Sequence, residues 1–315
     1  YMGDKIKVIM DCDPGIDDGI ALAYAAAHQD ELELLAVTTS AGSTRIERVT
    51  QNALELVDFY GLKVPVAGGQ DRPLVKAAIY AEEFHGETGL GHCVLPEAKS
   101  EAASDNAVLF IRDILNAIPE GEQVVMIETA PMTNLALLLK VFPEIKNKIR
   151  KIVFTGGAAK GGNITPAAEF NIYDDPDAAQ IVFKSGVPLV MCGLDVTMQA
   201  ELRPADWDEM AAYGNRCGKL VRELFACAWS AVQTVGLTGV AQHDSCPIMY
   251  LAHPELFEGQ MAGVFVETQA EITLGKTVTD LQSDKKFGKK NALVLLKLDR
   301  EAFMQILKDC IRTLP

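Results

Sequence analysis

The sequence predicts an α/β fold: a single large domain with a mainly parallel sheet flanked by helices. Three observations carry this. Short apolar runs suited to buried strands recur along the chain. Helical patterns separate most of them. Four aspartates, Asp11, Asp13, Asp17 and Asp18, sit where the first strand hands over to the first helix, and folds of this class place their sites at that edge.

The elements follow in order. Residues 6–10 form an apolar run that ends in the acids, and Pro14 and Gly15 punctuate it. A helix follows over 16–27. A second strand over 34–38 runs into Thr38-Thr39 and a helix over 45–60. A strand at 64–67 precedes a helix at 106–117. The strand at 124–127 leads to Thr129 and a helix at 132–140. The strand at 152–154 leads to Gly156-Gly157, and a helix at 176–184 precedes a strand at 189–191. Residues 204–251 read as mostly helical; strands at 264–266 and 293–296 and a helix at 300–312 close the chain. The acids, Thr38-Thr39, Thr129 and Gly156-Gly157 all leave strands at the same edge, so four distant segments are expected to converge there. No linker rich in Pro, Gly or Ser and no internal repeat interrupts residues 1–315, which predicts one domain.

Composition narrows the function. The chain is 49% hydrophobic and 23% charged, an ordinary globular balance. Its net charge of −14 leaves no basic stripe for nucleic acid. The only basic cluster, Lys285, Lys286, Lys289 and Lys290 around Phe287 and Gly288, reads as a solvated turn. Seven cysteines, an odd number without Cys-x-x-Cys spacing, argue against a disulfide framework or a zinc site. With no signal peptide and no apolar stretch near membrane-spanning length, the reading is a cytoplasmic protein without membrane or nucleic-acid partners.

The acids themselves point to chemistry. Carboxylates packed this closely stay solvated, take up protons or bind a cation. Oxygen ligands favour a hard cation, calcium or magnesium. A plainer reading has Asp17 capping the next helix, and Asp244 is equally placed to cap the helix running into 248–251. An EF-hand starting at Asp11 fails, because it needs glycine at Ile16 and glutamate at Leu22. A phosphohydrolase with an Asp-x-Asp start stays open on these residues, although 156–162 lacks the Gly-Lys-Ser/Thr of a P-loop.

The run from Asp11 to Asp18, Asp-Cys-Asp-Pro-Gly-Ile-Asp-Asp, resembles the N-terminal signature of the nucleoside hydrolases. Further matches follow in that family's order along nearly the whole chain. They are Val37-Thr38-Thr39, His85-Gly86-Glu87-Thr88-Gly89, Thr129 with Thr133-Asn134, Gly156-Gly157, Ala168-Glu169-Phe170-Asn171 and His243-Asp244. The resemblance implies a Rossmann-related fold and calcium-dependent cleavage of the N-glycosidic bond of ribonucleosides, in a homodimer or homotetramer. It implies Ca2+ held by Asp13, Asp18, Asp244 and the backbone carbonyl of Thr129, with Asp11 orienting these ligands.

Catalytic roles follow from the same resemblance. Asp13 would be the general base that takes a proton from the attacking water. Cleavage passes through an oxocarbenium-like state that nearby carboxylates stabilise. His243 would supply the proton that a leaving nucleobase needs. His85, in a glycine-rich loop, resembles the family's base-facing histidine, with stacking and proton supply both open. Asp17 would bind vicinal hydroxyls; Asn163, Glu169 and Asn171 would surround the 5′-hydroxyl and ring. Ser43 stands near ribose where the family commonly has asparagine, and Thr155 replaces a usual methionine. Tyrosines that cover the base in purine-handling members are missing before His243, which leaves Phe225 and Trp229 as the candidate base lid. A calcium-dependent nucleoside- or sugar-binding protein with little turnover is the alternative; retention of Asp13 and His243 favours the enzyme.

Overall fold

The computed structural model describes residues 5–282 and 289–315. Lys285, Lys286, Phe287 and Gly288 of the expected basic turn lie outside the described residues; Lys289 and Lys290 are exposed. The first half runs β1 (Ile6–Cys12), α1 (Asp18–Ala27), β2 (Leu32–Thr39), α2 (Ile46–Phe59), β3 (Val66–Gly68), α3 (Glu82–His85), α4 (Ala107–Ala117), β4 (Val124–Glu128), α5 (Thr133–Val141) and β5 (Ile149–Thr155). The second half runs α6 (Phe170–Asp174), α7 (Pro176–Phe183), β6 (Leu189–Cys192), α8 (Leu194–Thr197), β7 (Glu201–Leu202), α9 (Pro204–Ala212), α10 (Arg216–Val232), β8 (Val240–Ala241) and α11 (Ser245–Ala252). It closes with β9 (Phe257–Val266), β10 (Thr277–Asp280), β11 (Ala292–Leu298) and α12 (Arg300–Thr313).

Nine strands form one sheet in the order β10-β9-β11-β6-β5-β4-β1-β2-β3. The run from β3 to β11 is parallel, and β9 is antiparallel to both of its neighbours. Helices cover both faces, so the central strands read as continuous apolar runs rather than alternating ones. Every residue of β4 and β6 is buried. Successive residues still serve opposite faces: Val8 and Met10 join the core beneath α1, α10, α11 and α12, whereas Ile9 joins the core beneath α4, α5 and α7.

Strand order reverses direction between β1 and β4, which leaves a crevice at their C-terminal ends. The helical and strand expectations hold there, and the strands run one to three residues further than the apolar runs. These extensions are polar or small: Cys12, Thr39, Glu128 and Thr155. They belong to the sheet by backbone pairing; Thr155 lines the crevice, while Cys12, Thr39 and Glu128 are buried.

Asn134, at the start of α5, ties these ends together. Its Nδ2 donates to both Asp11 oxygens at 2.9 and 3.2 Å and to the Thr39 carbonyl at 2.9 Å. Its Oδ1 accepts from the Gln70 N–H at 3.0 Å. One side chain thus bridges β1, β2 and the strand exit beyond β3. Replacement by alanine leaves a buried carboxylate and a buried carbonyl short of donors. Asn134→Ala is expected to lower unfolding stability by about 3 kcal/mol, since bonds to charged groups contribute ~1.5–3 kcal/mol each. Urea denaturation with an unchanged m-value checks this.

Candidate active site

A cleft of about 730 Å³ opens over the crevice, within the size range of small-molecule sites. Asp13, Asp17, Ser43, His85, Thr129, Asn163, Glu169, Asn171, His243 and Asp244 all line it. Asp11 and Asp18 lie below its floor, each 1% exposed. The sequence-expected residues therefore converge, apart from the two lid aromatics.

The acids are held by neutral donors. Thr38 Oγ1 donates to Asp11 at 2.5 Å, alongside Asn134. Ser43 donates to Asp13 Oδ2 through its main-chain N–H at 2.5 Å and its hydroxyl at 3.0 Å. Thr129 Oγ1 donates to Asp18 Oδ1 at 2.7 Å. None of Asp11, Asp13, Asp17, Asp18 and Asp244 forms an ion pair with lysine or arginine among the described residues. Asp17 and Asp244 occupy the N-cap positions of α1 and α11, yet neither side chain caps its helix. The plainer capping role is thus not the one these carboxylates perform.

Burial without a counter-charge is costly. Burial, then the Asp18 charge, pushes Asp13 well above the usual carboxylate range. Burial and Asp17 bring Asp18 up to about 8. Burial, then the charges of Asp17, Asp18 and Asp13, raises Asp244 well above its ordinary value. Burial raises Asp11 as well, against the bonds from Thr38 and Asn134. The donor set fits a hard cation: carboxylate oxygens, plus the Thr129 carbonyl, whose one bond from Asn171 Nδ2 at 2.9 Å leaves a second lone pair. Among the described residues, no group of three His, Cys, Asp or Glu side chains is arranged to hold a metal ion; Asp13 Oδ2 and Asp18 Oδ1 accept bonds from Ser43 and Thr129.

The rest of the floor is a connected network. Asn171 Nδ2 also donates to the Thr155 carbonyl at 3.2 Å. Glu169 caps α6, accepting from Asn171 and Ile172, and its Oε2 takes the Gly157 N–H at 2.9 Å. Burial raises it to about 7. Asn163 is exposed at the mouth, its Oδ1 accepting from the Phe170 N–H.

Two histidines flank the acids. His85 Nδ1 accepts the Ile16 N–H at 3.1 Å, which places the ring proton on Nε2, and burial lowers its basicity. His243 Nδ1 pairs with Thr197 Oγ1 at 2.8 Å, and Thr155 Oγ1 holds the His243 carbonyl at 2.9 Å. Burial lowers His243 too, while Asp17 opposes the shift. Thr155, a departure from the family pattern, therefore braces the histidine strand exit.

The structure moves the lid residues elsewhere. Phe225 is fully buried and stacks on Trp207 at 6.4 Å; Trp229 packs edge-on to Trp207 at 5.9 Å. Positions 225 and 229 share one helix face, and that face of α10 packs on α9 instead of the cleft. The apolar lining includes Tyr80, Phe84, Phe170, Val235 and Leu237, in loops or in helices too short for a periodic signal to mark them. Glu128 is a second omission. It is fully buried beside Asp11 with neither oxygen bonded to a donor among the described residues. Burial, then the Asp11 charge, pushes its carboxyl well above the usual carboxylate range. In sequence it reads as an unremarkable strand end.

Fold and site together define an enzyme that works on a small, hydroxyl-rich molecule. Residues 8–305 match the family model described as inosine-uridine preferring nucleoside hydrolase. The chain is 46% identical to the pyrimidine-specific ribonucleoside hydrolase RihA of Shewanella baltica, over 97% of this chain and 96% of that protein. It is 42% identical to the Salmonella typhimurium protein of the same name, over 96% and 97%. The solved purine-preferring ribonucleoside hydrolase from Gardnerella vaginalis superposes with a TM-score of 0.89 at 32% identity, over 97% and 98% of the two chains. The plant nucleoside hydrolase PpNRh1 does so with 0.91 at 27% identity, over 98% and 100%. The chain belongs to the nucleoside hydrolase family. It is an N-glycosyl hydrolase acting on ribonucleosides, and the family is metal-dependent in general. No helix among the described residues is long and apolar enough to cross a membrane.

The raised carboxylates set a pH dependence. Asp18 stands near 8 in the fold, against about 3.9 unfolded. Between those values the folded state holds the extra proton, so its stability falls as pH rises across the window. In cation-free buffer the melting temperature is expected to fall from about pH 5 to about pH 8. Saturating calcium is expected to raise it and flatten the slope, releasing protons as it binds. Calorimetry in buffers of different ionisation enthalpy reads those protons; none released would contradict the assignment of the acids as ligands.

Proposed function

We propose that this protein hydrolyses pyrimidine ribonucleosides to free nucleobase and ribose, using Ca2+, with Asp13 as general base and His243 as general acid. The observation that carries the reading is the set of buried aspartates without cationic partners, set under a cleft at the sheet's switch point. The relatives named pyrimidine-specific, at 42–46% identity, support the base preference. So does α10, whose aromatics are committed to the core and supply no broad cover for a purine.

Asp13, Asp18, Asp244 and the Thr129 carbonyl would hold the cation. When bound, calcium supplies Lewis acidity that makes water more acidic and orients sugar hydroxyls. Asp13 accepts the proton from the attacking water. Asp17 grips vicinal hydroxyls, and Glu169, Asn171 and Asn163 face the other side of the sugar. Positive charge develops on the sugar over a floor of carboxylates, which stabilise it. His243 would protonate the departing base through Nε2, since Nδ1 is engaged with Thr197. Direct attack by water inverts the anomeric carbon. Association into a homodimer or homotetramer is part of the same reading, and light scattering settles it.

Uridine and cytidine are expected to exceed inosine and adenosine in kcat/KM by at least roughly tenfold, or about 1.4 kcal/mol. Release of ribose from none of the four would overturn the reading and leave a binding protein. Asp13→Asn is expected to cut kcat by roughly a thousandfold or more while ribose still binds, since an amide keeps the shape but cannot take a proton. His243→Ala should damage natural nucleosides far more than a nitrophenyl riboside, whose leaving group needs no proton. Equal losses on both would remove His243 from the acid role.

A further inference from the structure

We infer that Ser43 serves the reaction by orienting Asp13, to which its hydroxyl proton is committed, and does not donate to the sugar; this rests on the proposed role of Asp13. Ser43 lines the cleft, which makes a ribose contact the first expectation. Its bonds say otherwise. The main-chain N–H and the hydroxyl both donate to the same oxygen, Asp13 Oδ2, at 2.5 and 3.0 Å. A serine hydroxyl has one proton. Here that proton is spent on Asp13, so none is left to donate to a sugar hydroxyl. A Cβ built on Gly15 would stand 2.7 Å from Ser43 Oγ and 2.5 Å from His85 Nδ1, so glycine there leaves room for both side chains against the acid loop.

The turn before Ser43 is shaped around the same carboxylate. A Cβ on Gly42 would overlap Asp13 Oδ2 and stand 2.8 Å from Pro131 Cδ. Glycine there lets the main chain close on the carboxylate. The turn is braced on several sides. Ala41 N–H donates to the Gln70 carbonyl at 2.9 Å, and Ala81 N–H to the Gly42 carbonyl at 3.1 Å. Ser40 Oγ donates to the Pro131 carbonyl at 3.2 Å, and Thr44 Oγ1 to Glu82 at 3.0 Å. Segment 40–44 is therefore a rigid cradle for one oxygen of Asp13. With Oδ2 held, Oδ1 is the oxygen left to face water and cation. Ser43 is a positioning residue that makes the two oxygens of the base unequal.

The test uses the full-length protein and the variants Ser43→Ala, Ser43→Thr, Gly42→Ala, Asp13→Ala and Ser43→Ala/Asp13→Ala. Ser43→Ala is expected to lower kcat on uridine roughly ten- to a hundredfold, the range of one bond to a charged group. KM and the ribose inhibition constant should stay within about twofold. Ser43→Thr, which keeps the hydroxyl, should restore most of kcat. Gly42→Ala, which removes no functional group, should lower kcat at least as much as Ser43→Ala. On a nitrophenyl riboside, Ser43→Ala should cost nothing more once Asp13 is alanine, because a residue acting only through a partner has no effect without it.

Calcium affinity by calorimetry reads the same orientation without turnover. Ser43→Ala should weaken it severalfold and Ser43→Thr restore it. Weakened ribose binding in Ser43→Ala, an additive loss in the double variant, or a fully active Gly42→Ala would each overturn the inference. If calcium affinity follows Ser43 but no nucleoside is cleaved, the cradle stands and the hydrolase reading falls. If turnover is normal and neither kcat nor calcium affinity responds, the cradle falls alone. If the protein neither binds calcium nor cleaves nucleosides, both fall.

Discussion

The structure depends on the burial of aspartates that no basic side chain neutralises. Moving one unpaired carboxylate out of water costs several kcal/mol, and like charges beside it add to that cost. The fold offsets only part of it. Thr38, Asn134, Ser43 and Thr129 each give a neutral donor, and the N-termini of α1 and α11 face the cluster. An arginine would have neutralised the charge more fully, but a guanidinium fork would occupy the oxygens that the site needs free. Neutral donors fix the orientation of the acids and leave their charge available. The same residues therefore set a stability cost and, in the proposed reading, a capacity to bind a cation.

That cost explains the topology around the site. A cluster of this kind needs rigid walls from several strands, since a mobile loop would let the acids relax into water. β1 supplies Asp11 and leads to Asp13, β2 supplies Thr38, and β4 leads to Thr129. The reversal of strand order between β1 and β4 opens space there that no crossover helix fills. Asn134 and Asn171 then connect the exits by bonds that reach across chain distances of 123 and 42 residues. Positions so far apart in sequence hold one another in place, so their contributions are coupled, not additive.

The sequence carried some of this plainly and some not at all. The parallel strands were legible because helices cover both faces, which produces unbroken apolar runs such as 124–127. Their polar ends were not, since Cys12, Thr39, Glu128 and Thr155 break the apolar pattern while still pairing in the sheet. β10 and the two-residue strands β7 and β8 are too short for periodicity to register, and nothing in residues 257–266 announces an antiparallel direction. At the site, the acids were legible from density alone. Thr129 was placed at the site edge by topology, but Asn171 and His243 became legible only through resemblance, because a lone polar residue has many uses. Phe225 and Trp229 misled because composition shows that an aromatic is present, not which way its helix face points. Only tertiary packing on Trp207 decides that.

Floor and rim of the cleft are built on different principles. On the floor polar side chains are tied into a network: Glu169 takes three main-chain N–H groups, Asn171 reaches two carbonyls, and Asp13 gives one oxygen to Ser43. Such a network suits ribose, which every ribonucleoside presents in the same form. The rim is the reverse. Val235 and Leu237 are exposed, in a segment between α10 and β8 where residues 233–238 are all exposed. Apolar contact of this kind discriminates weakly, by one to a few kcal/mol, because it leaves no buried polar group unpaired when the wrong base enters. Strong discrimination between nucleobases needs a polar group at the base edge, and His85, which lines the cleft, is the residue proposed for it. Its Nδ1 is fixed on Ile16 N–H, and its remaining Nε2–H is a donor of fixed direction. In the proposed reading, the backbone bond that anchors His85 to the acid loop couples recognition of the base to the geometry of the buried aspartates.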